Sequence, residues 1–341
     1  MSRQTVIRWL VPGLVVALPL LLPNDFWVNM LNLSIIYMIL SLGLSVAAGS
    51  TGLFSLAQGA FFGIAAYSAA LFNMRLGLPI AIGIALGVLF ATLVGAMLAI
   101  PSVRLRGSYL CIATLGFSTI VFQLLLNLDS LTRGPMGLVG IPRLPAFTIA
   151  GMRISFIYKT PWYYILAVTL GLLIYLERRL SKSRFGLTLR MIREDELAAT
   201  CCGVNTFRYK VLAFAFSAFY AGIAGSLYGF YLSFLTPELF EVPESIKVMT
   251  IVIVGGRGNI VGCMIAALLL TLIPESLRVV GGGSTVSLLV YGAVLVSVML
   301  FAPEGLTGAW ERIRDRRRAA HRPLDGAVDE SLAEGVCEVG K

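Results

Sequence analysis

Trp9 to Met74 reads WLVPGLVVALPLLLPNDFWVNMLNLSIIYMILSLGLSVAAGSTGLFSLAQGAFFGIAAYSAALFNM, 66 positions with a single charged residue, Asp25. That length accommodates three membrane helices of about 20 residues each. A backbone in lipid must satisfy its own hydrogen bonds, and continuous apolar runs do this as helices, whereas a membrane barrel would alternate polar and apolar positions. The remainder of the chain agrees. Hydrophobic residues make up 57% and charged residues 13% of the 341 positions, with a mean hydropathy of +0.86. Soluble domains carry about 25% charged residues, so an ordinary globular enzyme is excluded. The sequence predicts an all-α integral membrane protein, a polytopic helical bundle.

Working outward, apolar runs place about ten transmembrane or re-entrant helices at 7–23, 28–48, 52–72, 79–100, 109–127, 161–177, 210–232, 245–256, 260–279 and 286–302. The run 245–256 is too short to cross alone and reads as a re-entrant or broken helix. The N-terminus is basic, but Pro19 and Pro23 interrupt its apolar run and no Ala-x-Ala site follows, so it reads as an uncleaved first span. Residues 1–305 form the transmembrane domain. Residues 306–341 form a polar, partly disordered tail, basic then acidic, with too few large apolar residues for a core.

Arg178 to Lys210 is a charged island between uncharged runs. It contains Arg178, Arg179, Lys182, Arg184, Arg190, Arg193, Arg208 and Lys210. Basic residues close to span ends mark the cytoplasmic side. An even span count with the N-terminus inside puts 20 of the 27 Lys and Arg residues in the cytoplasm and 7 elsewhere. Segment 178–210 is then a cytoplasmic handle, and segment 128–160 the largest external loop. The net charge of +9 therefore reflects topology and attraction to anionic lipid headgroups, not nucleic-acid binding. The five cysteines give no disulfide framework, and Cys201-Cys202 reads as packing on a small-residue helix face.

Several chemistries are absent. The chain has no phosphate-binding Gly-x-x-x-x-Gly-Lys-Ser/Thr loop. Gly255-Gly256-Arg257-Gly258 lacks its lysine and reads as a tight turn. The single histidine, His321, falls in the tail, so neither a metal site nor a histidine base is expected in the membrane, and no catalytic residue is assigned. Ion-coupled carriers place an acidic group at mid-membrane, whereas Asp25, Asp129, Glu238, Glu241, Glu244, Glu275 and Glu304 all map near span ends or loops. The handle is thus the leading entry point for energy. Within it, Ala198 and Ala199 allow close seating against another protein, Gly203 ends the helix, and Arg193, Glu194, Asp195 and Glu196 can set register by charge. Gly134 and Gly137 in the external loop, and Gly255, Gly256 and Gly258 in the late turn, are candidate structural turns or gates. Small residues such as Gly59, Gly63, Gly222 and Gly225 recur within spans, where close helix approach uses them.

Four stretches carry a resemblance: Gly52-Leu-Phe-Ser-Leu-Ala-Gln-Gly-Ala-Phe-Phe-Gly-Ile-Ala-Ala-Tyr67, Tyr109 to Phe117 with Gly134 to Pro142, Ile253 to Gly262, and the handle. Together they resemble the branched-chain amino acid permease family of ATP-binding-cassette (ABC) importers, in its LivM-type branch, over roughly residues 30 to 305. Ala199-Thr-Cys-Cys-Gly203 fits the spacing of the importers' Glu-Ala-Ala-x-x-x-Gly pattern, although Leu197 stands where the general pattern has Glu and Glu196 lies one position earlier. The resemblance implies an ABC importer permease fold in a bacterial inner membrane, transporting leucine, isoleucine and valine. It implies a second, LivH-type permease, two cytoplasmic ABC ATPases that bind and hydrolyse the ATP, and an external solute-binding protein. No cofactor is implied in this chain itself. Urea or short-amide import is the alternative within the class, and an ion-coupled secondary carrier the alternative outside it.

Overall fold

The structure, a computed structural model, describes residues 24–279 except 106, 144–146, 150–151, 155–158 and 257, together with positions 292 and 296. The expected spans 7–23 and 286–302, the tail, and Arg257 lie outside the described residues. Eleven α-helices occur among the described residues. They are α1 (Asp25–Thr51), α2 (Gln58–Leu76), α3 (Ile80–Ser102), α4 (Ser108–Asn127), α5 (Asp129–Thr132), α6 (Lys159–Lys182), α7 (Arg184–Glu194), α8 (Glu196–Cys201), α9 (Thr206–Leu232), α10 (Val242–Gly255) and α11 (Ile260–Val279). Five of them, α1, α3, α4, α6 and α9, are long and apolar enough to cross a membrane.

The centre is built from α1, α2, α3 and α9, with α11 and α6 against α1. With no hydrophobic drive between helices in lipid, tight contact needs small side chains. At Gly225 of α9 any Cβ would overlap the Phe62 carbonyl of α2, and at Gly95 of α3 it would overlap the Ala218 methyl of α9. Around these contacts sit Phe61, Phe214, Tyr220 and Phe230, all at most 1% exposed. Phe62, Tyr228 and Phe240 form a ring cluster with centroids 5.0 to 6.3 Å apart.

The third expected span needs correction. Gly52–Ala57 is not helical, and α2 begins only at Gln58. Gly52 turns the chain out of α1 at φ 73, and the next residues run without helical or strand structure beside α4. Thr114 and Ser118 lie about 9 and 15 Å along α4, and they supply what lipid cannot. The Leu56 N–H donates to Thr114 Oγ1 (2.9 Å), and Ser118 Oγ donates to the Leu56 carbonyl (2.7 Å). The Gly59 N–H, at the start of α2, donates to Ser245 Oγ (2.9 Å). Non-helical backbone at this depth persists because protein groups satisfy it.

A second departure follows α9. Phe234–Leu235 pairs antiparallel with Leu138–Val139 of the 128–160 loop, in the register Leu138↔Leu235. A second hairpin in that loop pairs Phe147–Ile149 with Met152–Ile154. The chain then descends along α2: Tyr67 Oη donates to the Leu235 carbonyl, Phe240 packs on Gly63, and Ser245 meets Gly59. Those eight residues of α2 correspond to about 12 Å. Helix α10 therefore starts below the loop-side surface, which is how a 14-residue helix serves where a full span needs about 20 residues. Helix α6 also outruns its expected end, carrying Arg178, Arg179 and Lys182 on its last turns, where cations offset the carbonyl end of the dipole.

Candidate functional site: the handle and the face above it

The handle consists of two helices and a turn. Ser183 caps α7 by accepting from the Gly186 N–H (3.4 Å). At Asp195 the backbone turns extended (φ −152, ψ 110), and its carboxylate accepts from the N–H groups of Leu197 (2.8 Å) and Ala198 (3.1 Å), starting α8. Gly203 follows α8 at φ 80 with its N–H on the Thr200 carbonyl, and a Cβ there would meet nothing within 4 Å. Only its backbone conformation demands glycine. Asn205 then caps α9 through the Arg208 N–H (3.1 Å).

Side chains fasten this unit to the bundle. Arg193 Nη1 donates to the Gly49 carbonyl at the end of α1 (2.6 Å). Glu196 pairs with Lys210 of α9 at 2.6 Å, the lysine side chain only 9% exposed. Phe185 stacks on Tyr209 with centroids 5.6 Å apart, and the Arg104 guanidinium sits 6.0 Å over the Phe207 ring. Ala199 faces the chain at 1% exposure. The charges expected to set register with a partner are thus used within the chain by Arg193, Asp195 and Glu196, while Glu194 stays exposed at the end of α7.

The outer side of the handle is apolar. Leu187, Met191, Ala198 and Cys202 line an open groove of about 560 Å³ edged by Arg190, Glu194 and Asp195. Leu197 beside it is 76% exposed, Leu187 55% and Met191 44%. Cys201 and Cys202 are both exposed, so the expected packing role for this pair is corrected. The sequence pattern missed the groove's leucine and methionine, although the spacing of Leu187 and Met191, four apart on α7, could have shown it.

The other candidate residues are turns, placed apart from the handle groove. Gly134 (φ 56) and Gly137 (φ 69) shape the loop after α5, where a Cβ on Gly137 would strike the Leu235 carbonyl. Gly255 packs against the Cys263 backbone, and Gly256 (φ 93) and Gly258 (φ 81) make the α10–α11 turn, Gly258 facing Gly49.

One sequence expectation is overturned. Glu244 lies in the first turn of α10, but that end is not at the membrane surface: its Oε2 accepts from Tyr37 Oη (3.0 Å), near the midpoint of α1, a helix of 27 residues and so about 40 Å long. Lys247, one turn on, lies 3.8 Å over the Tyr37 ring. Glu244 and Lys247 are half-buried, and Glu241 is exposed. Ionisable groups at such depth face a bundle interior, a water-filled path or a partner subunit. Nearer the handle, Leu53, Phe54, Leu110, Cys111, Met249 and Ile253 line an apolar opening of about 300 Å³. Among the described residues no group of three or more His, Cys, Asp or Glu side chains is placed to hold a metal.

Residues 26–299 match the family model described as branched-chain amino acid transport system / permease component. The chain belongs to this family. It is 35% identical to the high-affinity branched-chain amino acid transport system permease protein LivM of Escherichia coli over 297 residues, covering 82% of this chain and 69% of that one. It is 28% identical to LivH of Salmonella typhimurium over 297 residues, 82% of this chain and 94% of that one. BraD of Pseudomonas aeruginosa is 28% identical over 158 residues, 46% of this chain and 50% of that one. No solved structure matches significantly. The chain is a permease component, a multi-pass membrane protein.

Proposed function

We propose that this chain is the membrane subunit of an ATP-driven importer of leucine, isoleucine and valine in a bacterial inner membrane. The handle groove carries the reading. It is an apolar concavity on a capped, doubly anchored pair of helices, suited to a cytoplasmic ATPase whose closure would move α1 through Gly49 and α9 through Lys210. Arg193, Glu196 and Ala199 anchor the handle, Ala198 lines the groove, Glu194 edges it, and Gly203 sets the exit turn. ATP is bound and hydrolysed by the partner ATPases. The face bearing Glu241, Glu244 and Lys247 is where a second, LivH-type permease would complete the path, loaded by an external binding protein. The family's printed description and the LivM and LivH relatives support both the substrate and the paired subunits.

The test is uptake of labelled leucine and labelled urea in cells with and without this chain, repeated with Gly203→Val. Loss of leucine uptake alone, and its loss in the variant with membrane insertion intact, is expected. Loss of urea uptake alone moves the substrate to amides. Uptake that survives ATP depletion and collapses with an uncoupler overturns the ATPase reading.

A further inference from the structure

Between the handle and the bundle lies a second cavity, of about 190 Å³, lined by Ser45, Gly49, Glu177, Arg190, Arg193 and Glu194 among others. It shares Arg190 and Glu194 with the groove but opens toward α1 and α6. Its deep part is formed by two buried polar side chains, Glu177 at 4% exposure and Ser45 at 1%. Glu177 Oε2 is buried without a hydrogen-bond partner, and Ser45 Oγ has nothing better than the weakly bonding Cys263 thiol. A carboxyl oxygen left in this state is costly, and it calls for a donor from outside the chain. The exposed part carries Arg190, Arg193 and Glu194. Arg193 has five N–H donors, one of them directed at the Gly49 carbonyl.

The cavity sets two guanidiniums and the Glu194 carboxylate at its mouth and, in its depth, a buried carboxyl without a counter-charge. A simple cation would meet the arginines and a simple anion the carboxylates. A small molecule carrying both an ammonium and a carboxylate satisfies both. We propose that this cavity binds the head group of a zwitterionic α-amino acid from the cytoplasm. The ammonium donates to Glu177 and Ser45, and the carboxylate accepts from Arg190 and Arg193. The polar lining leaves the amino-acid side chain unread, pointing out through the opening. An occupant here bridges α1 and α6 to α7, so it holds the handle against the bundle and slows import when internal amino acid accumulates. The regulatory part rests on the importer reading above.

The experiment uses the assembled transporter in proteoliposomes, with binding protein and labelled leucine outside and ATP plus glycine inside. Internal millimolar glycine is expected to depress leucine uptake, whereas methylamine or acetate, each with half the head group, is not. Glu177→Gln and Ser45→Ala lie outside the groove. Each should import normally without glycine, while requiring about tenfold more glycine for the same inhibition, as expected for one lost hydrogen bond to a charged group. Should Glu177→Gln fail to assemble, Ser45→Ala carries the comparison. The proposal is overturned if glycine leaves wild-type uptake unchanged, if methylamine or acetate inhibits equally, or if the variants respond as the wild type does. Equilibrium binding of labelled glycine to the solubilised complex reads the cavity even if leucine is not transported. Absent leucine uptake with retained glycine binding would then fault the importer reading, and absent binding the cavity.

Discussion

Asp195 both stops one helix and starts the next, because its backbone is extended while its carboxylate accepts from two N–H groups of α8. Replacing an N-cap Asp by Ala costs about 1 kcal/mol. Asp195→Ala should therefore fray α8, lowering ATP-dependent uptake several-fold at unchanged membrane abundance, and Asp195→Asn, which keeps the acceptor, should restore it. Equal uptake in both variants would remove the cap from the account. Gly203 obeys a different rule. With nothing within 4 Å of a Cβ, Gly203→Ala should cost only the left-handed backbone, about 1 kcal/mol, and a melting curve of the solubilised protein should move little. Gly203 was legible in the sequence as a helix stop, because that is local chemistry, whereas Asp195 read only as a register-setting charge and shows itself as a cap in the structure. Glu177 was not legible. Its significance depends on Ser45, 132 positions away, and on a cavity that no pattern encodes. Glu196 stood out as part of the handle motif, but its partner Lys210 read only as a topogenic charge.

At the scale of elements, apolar runs located the spans, because lipid demands about 20 apolar residues wherever a full helix crosses. The same runs hid the breaks. Gly52–Ala57 is as apolar as its flanks, and what makes it non-helical is a set of acceptors and donors on α4, about 60 positions downstream. That dependence is testable. Thr114→Val keeps the shape but leaves the Leu56 N–H without its acceptor, which costs about 1–3 kcal/mol in a buried setting. The variant should melt several degrees below the wild type in detergent, and Thr114→Ser should recover most of the loss. An unchanged melting temperature for Thr114→Val would mean that the non-helical segment is held by something other than these bonds. Helix α10 poses the same problem of legibility. Its 14 residues are short in any reading, but the descent from Leu235 to Ser245 along Tyr67, Gly63 and Gly59 appears only in three dimensions. That descent is why Glu244, a span-end residue by sequence, meets Tyr37 at mid-helix.

For the molecule as a whole, the distribution of charge and the fold make one claim together: the handle and the 128–160 loop lie at opposite ends of the bundle. Helix α6 joins them directly, its 24 residues spanning about 36 Å. In the proposed topology the handle end is cytoplasmic, as the positive-inside rule expects, and the exposed apolar groove would give that end a reason to bind protein. The cysteines report on both statements. Cys201 and Cys202 are exposed at the groove, Cys111 is half-buried, and Cys263 is buried. In a Cys337→Ser background, which removes the tail thiol, a membrane-impermeant maleimide should label inside-out vesicles at Cys201 and Cys202 and leave intact cells unlabelled. Reversed labelling would invert the topology. Adding the partner ATPase to stripped inside-out vesicles should then slow labelling of Cys202 markedly, since the groove it lines would be covered. Leu197→Asp, which places a charge on the 76% exposed apolar side chain beside that groove, should abolish the protection without preventing insertion, because an exposed position tolerates a polar residue in the isolated subunit. Protection that persists in Leu197→Asp would place the ATPase elsewhere on the cytoplasmic surface, and the groove would lose its role as the point where hydrolysis is converted into helix movement.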